Sequence, residues 1–193
     1  MKTIVALGDS LTFGYCVTEE NKWVNIINNS LKQNHIDVKI INSGINGDTT
    51  RAMYQRLNQD VLSYNPVEVV MWSGANDFYF NTYPFEDTLK YFEKITQSLN
   101  KNFIKVNYIL GPDVNLNLAL TEIEYATLKS MLVKFEKLKQ FFDKNDYKYL
   151  DLRNIFHSEN NEDYFIDTIH FNNKGSKIIA DKIYRYIVDK IIK

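Results

Sequence analysis

One cysteine, three prolines and seven glycines are all that 193 residues hold of these types, and each scarcity excludes something. Cys16 alone makes neither an internal disulfide nor a zinc-binding cluster of thiolates, and it fits a reducing compartment. With so little proline and glycine and no Ser/Pro-rich stretch, nothing reads as a linker, and residues 1–193 read as one domain. Charge of one sign is also missing. The net charge of −1 gives no broad positive field to attract phosphate backbones or anionic membranes, so nucleic acid is not an expected partner. No apolar run nears the roughly 20 residues that span a bilayer, so no stable membrane insertion is expected. Ile4-Val5-Ala6-Leu7, behind Met1-Lys2-Thr3, is about half the length of a secretory core. It reads as a first strand, and the protein as cytoplasmic.

What is present suits a self-sufficient core: 45% of residues are hydrophobic, and a domain of this size buries roughly 70% of its unfolded surface. Aromatics are in excess, with 13 Tyr, 12 Phe and 2 Trp. Short β-branched runs recur at Ile4–Leu7, Val38–Ile41, Val67–Trp72, Val106–Leu110 and, more weakly, Tyr147–Leu152. Helical stripes separate them: Trp23, Ile26, Ile27 and Leu31; Leu89, Phe92, Ile95 and Leu99; Ile179, Ile183, Ile187 and Ile191. Between Glu122 and Lys144, Leu128, Leu132, Phe135, Leu138 and Phe142 point inward and lysines outward onto a solvated face. The alternation indicates βαβ units, a parallel sheet and a three-layer α/β/α sandwich. Ligands of such sheets sit beyond the carboxyl ends of the strands.

Four strand-end segments carry polar groups there. After the first strand, Ser10 in Gly8-Asp9-Ser10-Leu11-Thr12 opens a helix, its hydroxyl aimed into the crevice and its N–H among the unpaired donors of a helix start. An N-cap serine is the plainer alternative. After the second strand, Gly44 leaves its N–H unshielded, and Asp48 or Thr49 is a cap for the next helix. After the third, Asn76 offers a side-chain amide donor, with an Asx turn as the alternative. Near the end of the chain, Asp167 stands three residues before His170, placed to orient Nδ1–H while Nε2 faces outward as a general base requires. His35 and His157 lie in polar stretches and read as surface residues. Cys16 reads as a buried structural thiol, and Asp9 and Asp113 as turn or cap acceptors.

Together, Gly8-Asp9-Ser10-Leu11-Thr12, Asn42-x-Gly44-x-x-Gly47, Gly74-x-Asn76-Asp77 and Asp167-x-x-His170 resemble the blocks of the SGNH, or GDSL, hydrolases, in order and over most of the chain. The resemblance implies a flavodoxin-like five-stranded sheet of order 2-1-3-4-5 and no metal or organic cofactor. It also implies Ser10 as nucleophile, His170 as base and acid, Asp167 as its orienting carboxylate, and an oxyanion hole of the Ser10 and Gly44 N–H groups and the Asn76 amide. Acyl transfer through a serine ester is the expected chemistry, on a small-molecule ester or thioester. Five aromatics in the eight residues Phe78–Phe85 form a connection expected to wall an acyl or aryl pocket, with Phe78, Tyr79, Phe80 and Tyr83 as its candidates. A small esterase or lysophospholipase-like enzyme is the preferred reading, and a carbohydrate O-acetylesterase the next. A flavodoxin-type FMN-binding module, holding a flavin phosphate at Ser10 and Thr12, explains the strands but leaves Asn76, Asp167 and His170 without a task. Oligomeric state is not legible.

Overall fold

The computed structural model describes residues 1–156 and 161–192; His157 lies outside them. Five parallel strands, β1 (Lys2–Gly8), β2 (Val38–Gly44), β3 (Glu68–Trp72), β4 (Lys105–Leu110) and β5 (Tyr149–Asp151), pair in the order 2-1-3-4-5. The register sets Gly8 beside both Gly44 and Trp72, so the loops after β1, β2 and β3 leave the sheet side by side. That alignment places the motif residues at one edge.

Helices cover both faces. On one, α2 (Trp23–Gln33) packs against α8 (Asn173–Ile187); on the other lie α3 (Thr50–Gln55), followed along the chain by the one-turn α4 (Leu57–Asp60), then α6 (Phe85–Lys101) and α7 (Glu122–Lys144). In α7 the inward stripe contains Met131 where Leu132 was expected, and Leu132 rests at its margin. Ile179, Ile183 and Ile187 are buried as the four-residue spacing predicts, but the chain beyond Ile187 loosens into a π turn and Ile191 is half-buried. Among the described residues no helix is long and apolar enough to cross a membrane.

Most of the aromatic excess is core. Tyr108 stacks on Phe142 at 4.8 Å and on Tyr147 at 5.4 Å, with Phe92 edge-on to both Tyr108 and Phe142. A second group joins Phe156, Phe165 and Phe171 to Trp72. Phe165 and Phe171 form an antiparallel bridge, closed by Ile166 N–H to the His170 carbonyl (2.9 Å) and Asn172 N–H to the Tyr164 carbonyl (2.9 Å). The loop between them carries Asp167 and His170. Burying rings on both flanks clamps that loop to the sheet, so two side chains outside any helix or strand hold fixed positions.

Candidate active site

Helix α1 (Ser10–Phe13) is only one turn long and owes its start to Asp9, whose Oδ1 accepts the Leu11 N–H at 3.0 Å. Asp9 is the N-cap and Ser10 the first helical residue, which leaves the Ser10 hydroxyl free for other work. Its Oγ lies 2.8 Å from Nε2 of His170, 160 residues away in the chain. On the far side of the ring, His170 Nδ1 lies 2.7 Å from Asp167 Oδ2. Asp167 Oδ1 accepts the backbone N–H groups of Ile169 (2.8 Å) and His170 (2.7 Å). Burial pushes the Asp167 carboxyl up, but the imidazole and these two amides outweigh it and hold it below the ordinary carboxylate range. An ionised carboxylate only accepts, so Nδ1 carries the proton and Nε2 is left to accept from Ser10. Tyr15 packs on the ring at 4.8 Å between centroids.

Asn76 stands in α5 (Ala75–Phe80), a helix where the aromatic run suggested an irregular connection. The helix sorts the aromatics by face: Tyr79 and Phe80, three and four residues on from Asn76, share its side, and all three line a cavity of about 210 Å³ over Ser10 and His170, together with Glu124 and Thr168. Two of the expected wall residues are elsewhere. Phe78 is buried against Phe85 and Phe135, at 5.5 and 5.0 Å, and Tyr83 lies beneath the Arg51 guanidinium.

Gly44 also has a different role from the expected one. Its N–H donates to Asn42 Oδ1 at 3.0 Å, and a β-carbon there would stand 2.2 Å from the Phe13 amide nitrogen. The glycine therefore lets α1 press against β2. Gly47, at φ +81°, has open space around it and an N–H with no acceptor among the described residues. The next residue, Asp48, receives the Asn76 side-chain amide on its carbonyl at 2.9 Å. Gly47 was legible as the second glycine of its block and as an Asn-Gly turn.

Arg56 was not singled out from the sequence and holds this loop in place. Its Nε meets Asp48 Oδ2 at 2.6 Å, Nη1 meets Asp60 Oδ2 at 2.9 Å, and Nη2 donates to the carbonyls of Gly8 and Ser43. One guanidinium thus ties the ends of β1 and β2 to the loop that anchors Asn76; its spacing from Asp60, four residues on, was the only local sign. Thr49 caps α3 through its side chain, and Asp113 accepts the Val114 and Phe156 amides as a turn residue should. The Thr12 hydroxyl is buried and without a hydrogen-bond partner among the described residues. His35 is exposed as expected. Cys16 is exposed, contrary to expectation: α1 ends at Gly14 in the left-handed region, so Cys16 falls in the following turn at φ +55° and not on an inner helical face. Among the described residues no three His, Cys, Asp or Glu side chains converge as a metal site requires.

Asp9 is wholly buried, and Oδ2 has no hydrogen-bond partner among the described residues. Burial pushes its carboxyl from 3.8 up to about 7, against the pull of the Leu11 amide and His170. The folded value lies above the unfolded one, so between about pH 4 and 7 the native state holds a proton that the unfolded chain has lost. Stability from this group falls as pH rises through that window and stays low above it. Asp9→Asn keeps the cap acceptor and removes the titration. Urea unfolding at pH 5 and pH 8 is expected to show the variant gaining about 2–4 kcal/mol on the parent between the two; equal pH dependence in both would contradict it.

A three-layer α/β/α domain with a serine, an imidazole and a carboxylate hydrogen-bonded in a row at the carboxyl edge of its sheet defines the class of protein. The chain belongs to the GDSL-like lipase/acylhydrolase family, whose family model matches residues 6–178. Over 74 residues it is 38% identical to an arylesterase of Vibrio mimicus, a match spanning 38% of this chain and 37% of that relative's length. Its fold is similar to that of an acetyl xylan esterase, AlAXEase (22% identity, 96% and 99% of the two chains, TM-score 0.82). It is similar also to that of a lipase/acylhydrolase of Enterococcus faecalis (24% identity, 97% and 95%, TM-score 0.77).

Proposed function

We propose that this chain, as one domain over residues 1–193, is a carboxylic ester hydrolase acting on small-molecule esters or thioesters through an acyl-enzyme on Ser10. The observation that carries this reading is the row from Asp167 through His170 to Ser10, opening on a cavity that Asn76 lines. His170 Nε2 takes the Ser10 proton as Oγ adds to the carbonyl carbon, and the imidazolium returns it to the departing alcohol or thiol. Water, deprotonated by the same nitrogen, then releases the acid and restores the serine. The oxyanion is met by the Ser10 N–H, by the Asn76 amide hydrogen not committed to Asp48, and by the Gly47 N–H in place of that of Gly44. A cavity of about 210 Å³ lies below the 300–1,000 Å³ of drug-sized sites, which favours a short acyl or aryl group in it over a long lipid chain. The similarity to an arylesterase points the same way. A cytoplasmic setting belongs to this reading, supported by an exposed thiol, Cys16, that a reducing compartment keeps free.

An alkyl fluorophosphonate tests the assignment, because an activated side-chain nucleophile displaces its fluoride and an unactivated hydroxyl does not. Peptide mass spectrometry is expected to place one phosphonyl group on Ser10; no label, or a label on another residue, would contradict the reading.

A further inference from the structure

We propose that Glu124 makes this site selective for esters bearing a positively charged ammonium group, an inference that rests on the esterase reading above. Glu124 lines the catalytic cavity beside Tyr79, Phe80 and Thr168. Its carboxylate is held from two sides: Oε2 accepts the Leu120 N–H at 2.9 Å and Oε1 accepts the Thr168 hydroxyl at 3.2 Å. Both donors are neutral. Among the described residues no lysine, arginine or histidine pairs with Glu124, and no lysine or arginine lines the cavity. The other cavity carboxylate, Asp167, is committed to His170 and two backbone amides. Glu124 therefore presents a carboxylate with no cationic side chain paired to it at the place where substrate must lie, offset only by the partial positive charge of the α7 N-terminus.

The aromatic neighbours fit the same ligand. Tyr79 and Phe80 meet edge to face at 5.1 Å on the α5 side of the cavity. Burial raises the Tyr79 phenol above its ordinary range, and the Glu124 and Asp167 carboxylates push it the same way. Aromatic faces with a carboxylate are the combination that binds alkylated ammonium groups, because such cations shed water readily and are drawn by both the ring quadrupole and the charge. An anionic ester meets only repulsion there.

A purely architectural role for Glu124 makes a different prediction. Thr121 caps α7 by accepting the Glu124 N–H at 3.1 Å, and the Glu124 carboxylate reaches back to the Leu120 amide, a capping arrangement that needs an acceptor but no charge. Glu124→Gln keeps an acceptor for the Leu120 amide, turns its NH₂ to the Thr168 hydroxyl, which can accept, and removes the charge. The experiment compares kcat/KM for a choline ester and for its uncharged carbon isostere, the 3,3-dimethylbutyl ester of the same short acid, in the parent and in Glu124→Gln. The parent is expected to favour the choline ester by about tenfold or more, and the substitution to lower that ratio by about tenfold. No preference in the parent, a ratio unmoved by the substitution, or turnover of neither ester overturns the proposal. The esterase reading has its own check in the same samples: if Ser10 takes no phosphonate, that reading fails with it, whereas a labelled Ser10 beside an unmoved ratio condemns only the role given to Glu124.

Discussion

Ser10→Ala is expected to lower kcat for an activated aryl ester by on the order of 10⁶ without loosening the fold. The size follows from the nucleophilic role proposed for the hydroxyl. With Oγ gone, His170 Nε2 has only water to activate, and the oxyanion donors and cavity walls supply the remaining acceleration of about 10³–10⁴ over free solution. The absence of a stability cost follows from the local structure. The cap of α1 is Asp9, through its bond to the Leu11 amide, and Ser10 is the first residue inside the helix. Alanine is a good helix former there, and losing a true cap would cost about 1 kcal/mol. Burst-free kinetics beside an unchanged urea midpoint would complete the result. Residual turnover within tenfold of the parent would mean that another nucleophile does the chemistry.

How much of this was legible in the sequence depended on the range over which each feature is determined. β1 to β4 were visible because parallel strands buried on both faces read as β-branched runs, and α2, α6 and α8 because their apolar spacing is local. The strand order was not visible in any run of residues; it came with the family resemblance. Ser10, Asp167, His170 and Asn76 stood out because each sits in a short segment just past a strand or before a helix. Misreadings gathered where one pattern fits two structures. The run from Phe78 to Phe85 suits a connection or a helix, and only the helix separates Tyr79 and Phe80, on the Asn76 face, from Phe78 in the core. Gly44 and Gly47 are equivalent as letters, but packing against α1 consumes one and leaves the other beside Asn76. Arg56 joins the ends of β1 and β2 to the loop that anchors Asn76, partners distant in the sequence, so its spacing from Asp60 was the only trace of that role in the sequence.

The clamp on the Asp167–His170 loop determines what Asp167→Asn should do: a loss in kcat of about 10⁴, with KM little changed. An asparagine here has a choice of orientation only in principle. The Ile169 and His170 amides both donate to Oδ1, so the asparagine carbonyl must stay on that side, and its NH₂ is turned to His170 Nδ1. Two donors cannot face each other. Nδ1 then becomes the acceptor, the ring proton moves to Nε2, and the nitrogen that should take the Ser10 proton already carries one. Reversing the amide would restore the tautomer only by opposing its NH₂ to two backbone N–H groups, a greater penalty than the one relieved. Because Asn still accepts both amides, and because Phe165 and Phe171 hold the loop from either flank, the melting temperature should move little. A kcat loss of 10³ or more at constant thermal stability is therefore the signature of a misplaced proton; a loss below tenfold would mean that His170 keeps its working tautomer without Asp167, and that the carboxylate has no part in aligning the base.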